Sequence, residues 1–274
     1  MKKTLAVVLT MGLALSFVGC GDKAAEVTEA PVEAASVVEE ASTVAESVAE
    51  EVVEEAEAKA EGVMTYAEYA AAELDSEVVV ETYVQAKQSW WEDKATFYTQ
   101  DEDGAYFIYE MACSQEDYDK LVPGTKIKVS GVKSEWSGEV EIVDATFEIE
   151  DGNFVAEAKD ATDLLGKDEL IDLQNQFVSF TDMTVEATRI DGDDTEYAFL
   201  YNWDGSGSQG DDLYFTVSVD GQSYTFTVES YLCDSSTEVY QTVEGLQIGD
   251  TVDMEGFLYW YEGVNPHITS VTVK

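Results

Sequence analysis

Gly124-Thr125-Lys126-Ile127-Lys128-Val129-Ser130-Gly131 is followed by Gly138, and Gly249-Asp250-Thr251-Val252-Asp253-Met254-Glu255-Gly256 is followed by Gly263. Both stretches carry glycine at the same two intervals of seven. Between the glycines apolar and polar residues alternate, with Ile127 and Val129 in one copy and Val252 and Met254 in the other. A period of two marks a strand with one buried face, and a glycine inside such a strand marks a bend or bulge. After the third glycine each copy resumes as a strand, Glu141 to Phe147 and His267 to Val273. One unit is therefore written twice.

The correspondence continues upstream. Alternating segments flank Asp103-Gly104 in the first copy and Asp220-Gly221 in the second, and Asp-Gly between alternating strands predicts a hairpin. Each hairpin runs into a cysteine, Cys113 or Cys233, and then into a segment that begins with serine, Ser114-Gln115-Glu116-Asp117 or Ser235-Ser236-Thr237-Glu238. These read as capped helical turns. A long first strand precedes each hairpin, Glu77 to Lys87 and Gln176 to Ile190, and a helical stretch precedes that, Tyr66 to Leu74 and Asp168 to Leu173. Strand, hairpin, short helix, then two strands joined by a glycine-marked turn resembles the OB-fold, a five-stranded Greek-key barrel. The resemblance implies a mostly β chain with two tandem five-stranded OB-like Greek-key barrels, each with short helices, over residues 63–158 and 159–274. It also implies binding through the face of strands 2 and 3 and the loops joining strands 1 to 2 and 4 to 5.

The chain before residue 63 reads differently. Met1-Lys2-Lys3, an apolar run from Leu5 to Val18, and Gly19-Cys20 have the shape of a signal peptide over residues 1–19, too short for a membrane-spanning helix of about 20 residues. Phe17-Val18-Gly19-Cys20 resembles the lipobox of bacterial lipoproteins, with Phe17 where that family usually has Leu. The resemblance implies that Cys20 is lipidated and that the protein is held on the extracytoplasmic face of the cell membrane. From Cys20 to Gly62 the chain is almost wholly Ala, Val, Glu, Ser and Thr, with 13 acidic residues, two Lys and no aromatic ring. Such a segment repels itself, buries little, and is expected to be a disordered acidic linker.

The whole chain carries 14 Lys and Arg against 58 Asp and Glu, a net charge of −44. That balance argues against a polyanionic partner, so no nucleic acid is expected and the membrane is expected only through the N-terminal lipid. Aromatic residues gather where the OB resemblance puts binding: Trp90 and Trp91 in the first strand 1 to 2 connection, Trp136 at the first strand 4 to 5 turn, Tyr201 and Trp203 in an insertion of the second barrel from Asp191 to Asp212, and Trp260 within Tyr259-Trp260-Tyr261. Ring faces attract C–H groups and positive charge, so these six are the candidate ligand-binding residues, for a glycan, a cationic peptide or a protein. Trp90 and Trp91 are adjacent, so on a strand they must point to opposite faces.

The expected role is a non-catalytic binding or adhesion module on a lipid anchor, with no catalytic residue, metal or cofactor assigned. His267 is the only histidine and reads as structural. No nucleophile elbow, phosphate loop or Cys-x-x-Cys occurs. The acidic insertion offers oxygen ligands, but a calcium loop starting at Asp204 would need glycine where Gln209 stands. Cys113 and Cys233 fall one per repeat and read as two free buried thiols. The alternative is a secreted hydrolase, glycosidase-like or calcium-assisted, that uses acidic residues of the second barrel; carboxylates converging from distant segments into one pocket are what it requires.

Overall fold

A computed structural model describes residues 62–190 and 192–274. The signal peptide expected over 1–19, Cys20 with its lipid, all but the last residue of the acidic linker expected over 20–62, and Asp191 lie outside the described residues. The chain from residue 62 enters through helix α1 (Tyr66–Ala71). Thr65 and Glu68 close a capping box at its start, the Glu68 amide donating to Thr65 Oγ1 and the Thr65 amide to Glu68 Oε2. At its end Lys133 Nζ donates to the carbonyls of Tyr69, Ala70 and Ala72 at 2.9–3.0 Å, an ammonium where the helix dipole favours a cation.

Strands β1 (Glu77–Lys87), β2 (Lys94–Gln100), β3 (Ala105–Ala112), β4 (Thr125–Trp136) and β5 (Glu139–Asn153) close a barrel in the order β1-β2-β3-β5-β4. β3 and β5 run parallel and the other neighbours antiparallel. Helix α2 (Gln115–Lys120), capped by Ser114, joins β3 to β4. After two-residue β6 (Lys159–Asp160) and two 3-10 turns, Thr162–Leu164 and Asp168–Leu173, the plan repeats with β7 (Phe177–Glu186), β9 (Leu213–Val219), β10 (Gln222–Val228), β11 (Thr251–Phe257) and β12 (His267–Val273). β7 pairs with both β11 and β9, which closes the second barrel. Short β8 (Leu200–Tyr201) adds to β9, and helix α3 (Glu238–Glu244), capped by Thr237, stands where α2 stands in the first barrel. The protein is thus two closed five-stranded barrels in tandem, as the OB resemblance implies.

The repeated glycines have a common physical reason. Gly131 in β4 and Gly256 in β11 both sit at register shifts against the following strand. A Cβ on Gly131 would lie 2.6 Å from Ile142 Cγ2, and one on Gly256 only 2.3 Å from the His267 carbonyl oxygen. Fourth and fifth strands come too close there for any side chain. Each barrel fills its interior with its own apolar residues, Phe97, Ile108, Ile127 and Ile142 in the first, Phe180, Phe215, Phe226 and Ile268 in the second.

A third apolar cluster lies between the barrels. Tyr98 and Phe107, which point outward from β2 and β3, pack on Phe257 and Tyr259 of the second barrel; Tyr98 stacks on Phe257 at 4.6 Å and Phe107 meets Tyr259 edge-on at 5.2 Å. Burying each such side chain stabilises by about 1.5–3 kcal/mol. Hydrogen bonds fix the orientation of this joint: Phe177 N–H to Gln100 Oε1 (2.8 Å), Gln174 Nε2 to the Gly138 carbonyl (2.8 Å) and Trp260 N–H to Glu139 Oε2 (2.9 Å).

Candidate functional site

Beside that joint the two barrels enclose a cleft of about 970 Å³. Period-two alternation explains its construction. In β3, Tyr106 and Ile108 fill the first barrel, so Phe107 and Tyr109 face out into the cleft. In β9, Leu213 and Phe215 fill the second barrel, so Tyr214 faces the same cleft. Both barrels therefore turn the strand 2 and 3 face toward one shared space. At the parallel contact of third and fifth strands, Phe107 is opposite Glu141 in the first barrel and Thr227 is opposite His267 in the second. All four line the cleft.

Trp136, Trp203 and Tyr261 add aromatic walls. Trp136 is 54% exposed and its ring lies 5.0 Å from that of Tyr261. Four carboxylates come from separate segments, Glu141, Asp212, Glu229 and Glu262, and the lining contains no Lys or Arg. Asp212 Oδ1 accepts from the Ser230 amide and hydroxyl. Glu229 accepts from the amides of Tyr231 and Leu232, yet burial and the neighbouring Asp212 charge push its carboxyl up to about 7. Glu141 is 8% exposed and its carboxylate has no hydrogen bond or ion pair among the described residues; burial raises its pKa.

His267 is closed into the joint as a structural residue. Its Nδ1 is 2.6 Å from Tyr98 Oη, its ring stacks on Tyr259 at 4.1 Å, and burial lowers its pKa to about 3. It is neutral, and Nδ1 and the tyrosine hydroxyl share one hydrogen bond whose direction follows the imidazole tautomer. Glu139, two residues before Glu141 on the same strand face, is buried and pushed up to about 8, mainly by burial. Its Oε1 and Asn175 Oδ1 are both buried without a partner.

The six aromatic candidates separate. Trp136 and Trp203, the latter 73% exposed, both line the cleft. Trp91 is 68% exposed but lies outside the cleft lining. Trp90 packs on the first core with its indole N–H on the Cys113 carbonyl at 3.0 Å. Tyr201 packs on the second core and donates to Glu244 at 2.6 Å. Trp260 packs on the second core and against Gly138. Its neighbours Tyr259 and Tyr261 face the cleft instead; alternation within Tyr259-Trp260-Tyr261 was the available signal. Nothing local distinguished Glu141 from other strand carboxylates.

In the acidic insertion, Asp193, Asp204 and Asp211 accept from the amides of Thr195, Ser206 and Ser208 and so close their own turns. No group of three metal-ligating side chains converges among the described residues. Cys113 and Cys233 are free and buried, and burial pushes their thiols up to about 11 and about 12.

No family model matches the chain, and no curated protein matches it. Similar solved structures include one described as structural mimicry for functional antagonism, at 12% identity and a TM-score of 0.32, covering 73% of this chain and 93% of that one. Another is a murine DNA binding protein bound with double-stranded DNA, at 12% identity and TM-score 0.32, covering 72% and 94%. A third is the tetrameric p202 HIN2, at 13% identity and TM-score 0.30, covering 74% and 96%. The expectation that nucleic acid is not a partner is corrected here: a chain similar to this one binds double-stranded DNA, and net charge, a sum over the whole sequence, does not decide a local surface. At such identities and TM-scores no partner is transferred to this chain.

Proposed function

We propose that this protein is a non-catalytic binding module, anchored through a lipid on Cys20 to the extracytoplasmic face of the cell membrane, with the inter-barrel cleft as its ligand site. The anchor rests on the N-terminal sequence alone. The site rests on one observation: both barrels present corresponding strands to a single cleft where Trp136, Trp203 and Tyr261 are exposed and the Glu141 carboxylate has no partner among the described residues. Aromatic walls with a few convergent polar groups are what a ligand cleft needs. Ligands in scope are a glycan, a peptide or a segment of a protein. Full-length protein in detergent, applied to glycan, peptide and double-stranded DNA arrays, should bind a ligand that Trp136→Ala with Tyr261→Ala releases. Binding that survives both substitutions would place the site elsewhere and overturn this reading. For the anchor, Cys20→Ser should release the protein from the membrane or leave its precursor uncleaved; normal processing with full retention sinks it.

The hydrolase reading has one observation in its favour. Carboxylates of the second barrel do converge in the cleft, and Glu229 is held near neutrality beside Asp212, as a general acid would be. Against it, both Glu229 oxygens accept backbone amides and so cap a turn. Turnover of a glycan bound by the array, abolished in Glu229→Gln with binding intact, would establish the hydrolase.

A further inference from the structure

We infer that the inter-barrel cleft takes an organic cation, an alkylammonium or guanidinium group carried on a flexible chain, with Glu141 as counter-ion and the Trp136–Tyr261 pair as wall. This rests on the reading of the cleft as a ligand site and adds the chemistry of the ligand.

Glu141 carries the inference. A glutamate residue that is only 8% exposed normally has a charged or hydrogen-bonding partner on its carboxylate, and the other two well-buried acidic groups nearby have theirs: Glu139 accepts from Trp260 N–H, and Glu229 from the amides of Tyr231 and Leu232. Glu141 lines the cleft with none among the described residues. No cationic side chain of the cleft can supply one, because the lining holds neither Lys nor Arg and the buried His267 is neutral. The upward push of burial on the Glu141 carboxyl has the same origin.

A ligand without donors covering Glu141 would remove its remaining water and leave the carboxylate unsatisfied; a neutral donor would satisfy its hydrogen bonds but not its charge. A cation compensates it. The exposed rings of Trp136 and Tyr261, 5.0 Å apart, offer the negative faces that attract an ammonium or guanidinium. The net charge of −44 draws cations toward the protein as a whole, and the cleft adds an unpaired carboxylate with aromatic walls.

Titration of the full-length protein in detergent, read by tryptophan fluorescence, uses four probes: a lysine-containing tetrapeptide, its Nε-acetylated form, spermidine, and a neutral oligosaccharide. The lysyl peptide should bind saturably, and acetylation should weaken it at least tenfold, about 1.4 kcal/mol. Glu141→Gln should cause a comparable loss, while Glu148→Gln, exposed on the same strand, should cause none. Competition by spermidine identifies free amines as ligands, and its failure beside a bound lysyl peptide assigns the site to peptide side chains. Equal affinity for the acetylated peptide, no effect of Glu141→Gln, or an equal effect of Glu148→Gln would overturn the inference. If only the oligosaccharide binds, in a way that depends on Trp136, the cation chemistry fails and the binding module stands. If no probe binds, and Trp136→Ala changes no interaction found on the arrays, both fail.

Discussion

Glu141 and His267 occupy the same place in the two barrels, the outward-facing position of the fifth strand beside the third. One has a polar partner in the protein, and the other has none among the described residues. His267 lies under Tyr259, with Tyr98 on its ring nitrogen, and burial keeps it neutral. Glu141 lines the cleft with a carboxylate that has no partner among the described residues. A repeated barrel thus uses one position twice, once to join the halves and once to line the cleft. The difference teaches that a repeat conserves backbone constraints while its outer faces diverge in role.

The widest effect expected concerns the buried acid beside Glu141. Glu139 has a folded pKa of about 8 against an ordinary 4.5, so the folded state holds a proton that the unfolded chain releases. Its stabilisation is complete below about pH 4.5 and is lost as pH rises through 8, at about 1.4 kcal/mol per unit inside that window. Denaturant unfolding at pH 5 and pH 8 should show a steeper decline for the natural protein than for Glu139→Gln. Parallel declines would mean that Glu139 is ionised in the fold and that the joint tolerates its charge.

The paired glycines sharpen the comparison next. Gly256→Ala drives a methyl into the backbone of β12 and should cost about 3 kcal/mol, the upper part of the usual range for overpacking. Gly131→Ala meets the Ile142 side chain at 2.6 Å and the Val143 carbonyl oxygen at 2.8 Å, against 2.3 Å to the His267 carbonyl oxygen for Gly256, and should cost less. Equal thermal midpoints for the two variants would show that both strands yield alike. Removing the hydroxyl that satisfies His267, in Tyr98→Phe, should cost about 1–3 kcal/mol because a buried nitrogen is left unpaired. Glu141→Gln, which removes no hydrogen bond or ion pair among the described residues, should leave the midpoint unchanged or slightly raised.

The smallest effects separate the exposed rings. Trp136→Ala should weaken a cleft ligand by roughly 0.5–1.5 kcal/mol through lost ring contact, with little change in thermal midpoint. Trp91→Ala, exposed outside the cleft, should alter stability by no more than about 0.5 kcal/mol and leave that affinity unchanged. Equal losses of affinity from both would put the ligand across the end of the first barrel instead.

Much of this was legible in the chain. Strand β1 spans Glu77–Lys87 as the alternation predicts. Asp220-Gly221 turns with positive φ at both residues, and Ser114 caps α2. At Gly104 the hairpin was legible but its reason was not, because the Tyr66 ring would lie 2.4 Å from a Cβ there. The adjacent rings of Trp90 and Trp91 do divide, one onto the core and one toward solvent. Aromatic character alone did not mark the site: Trp260 packs inward while Tyr259 and Tyr261 face the cleft, and Glu141 appeared as one carboxylate among many.

By itself the sequence determined two barrels of one plan, because strand alternation, Asp-Gly turns, helix caps and the glycines of close strand contact are constraints between near neighbours or between adjacent strands. Only the tertiary structure decided which outward-facing residues are covered. Period two separates the faces of a strand and carries no information about what lies over the second face. Here that face meets a partner far away in the chain, Glu139 with Trp260 across 121 residues and Tyr98 with His267 across 169. Docking of the barrels turns polar strand positions into a buried joint and leaves Glu141 lining the cleft.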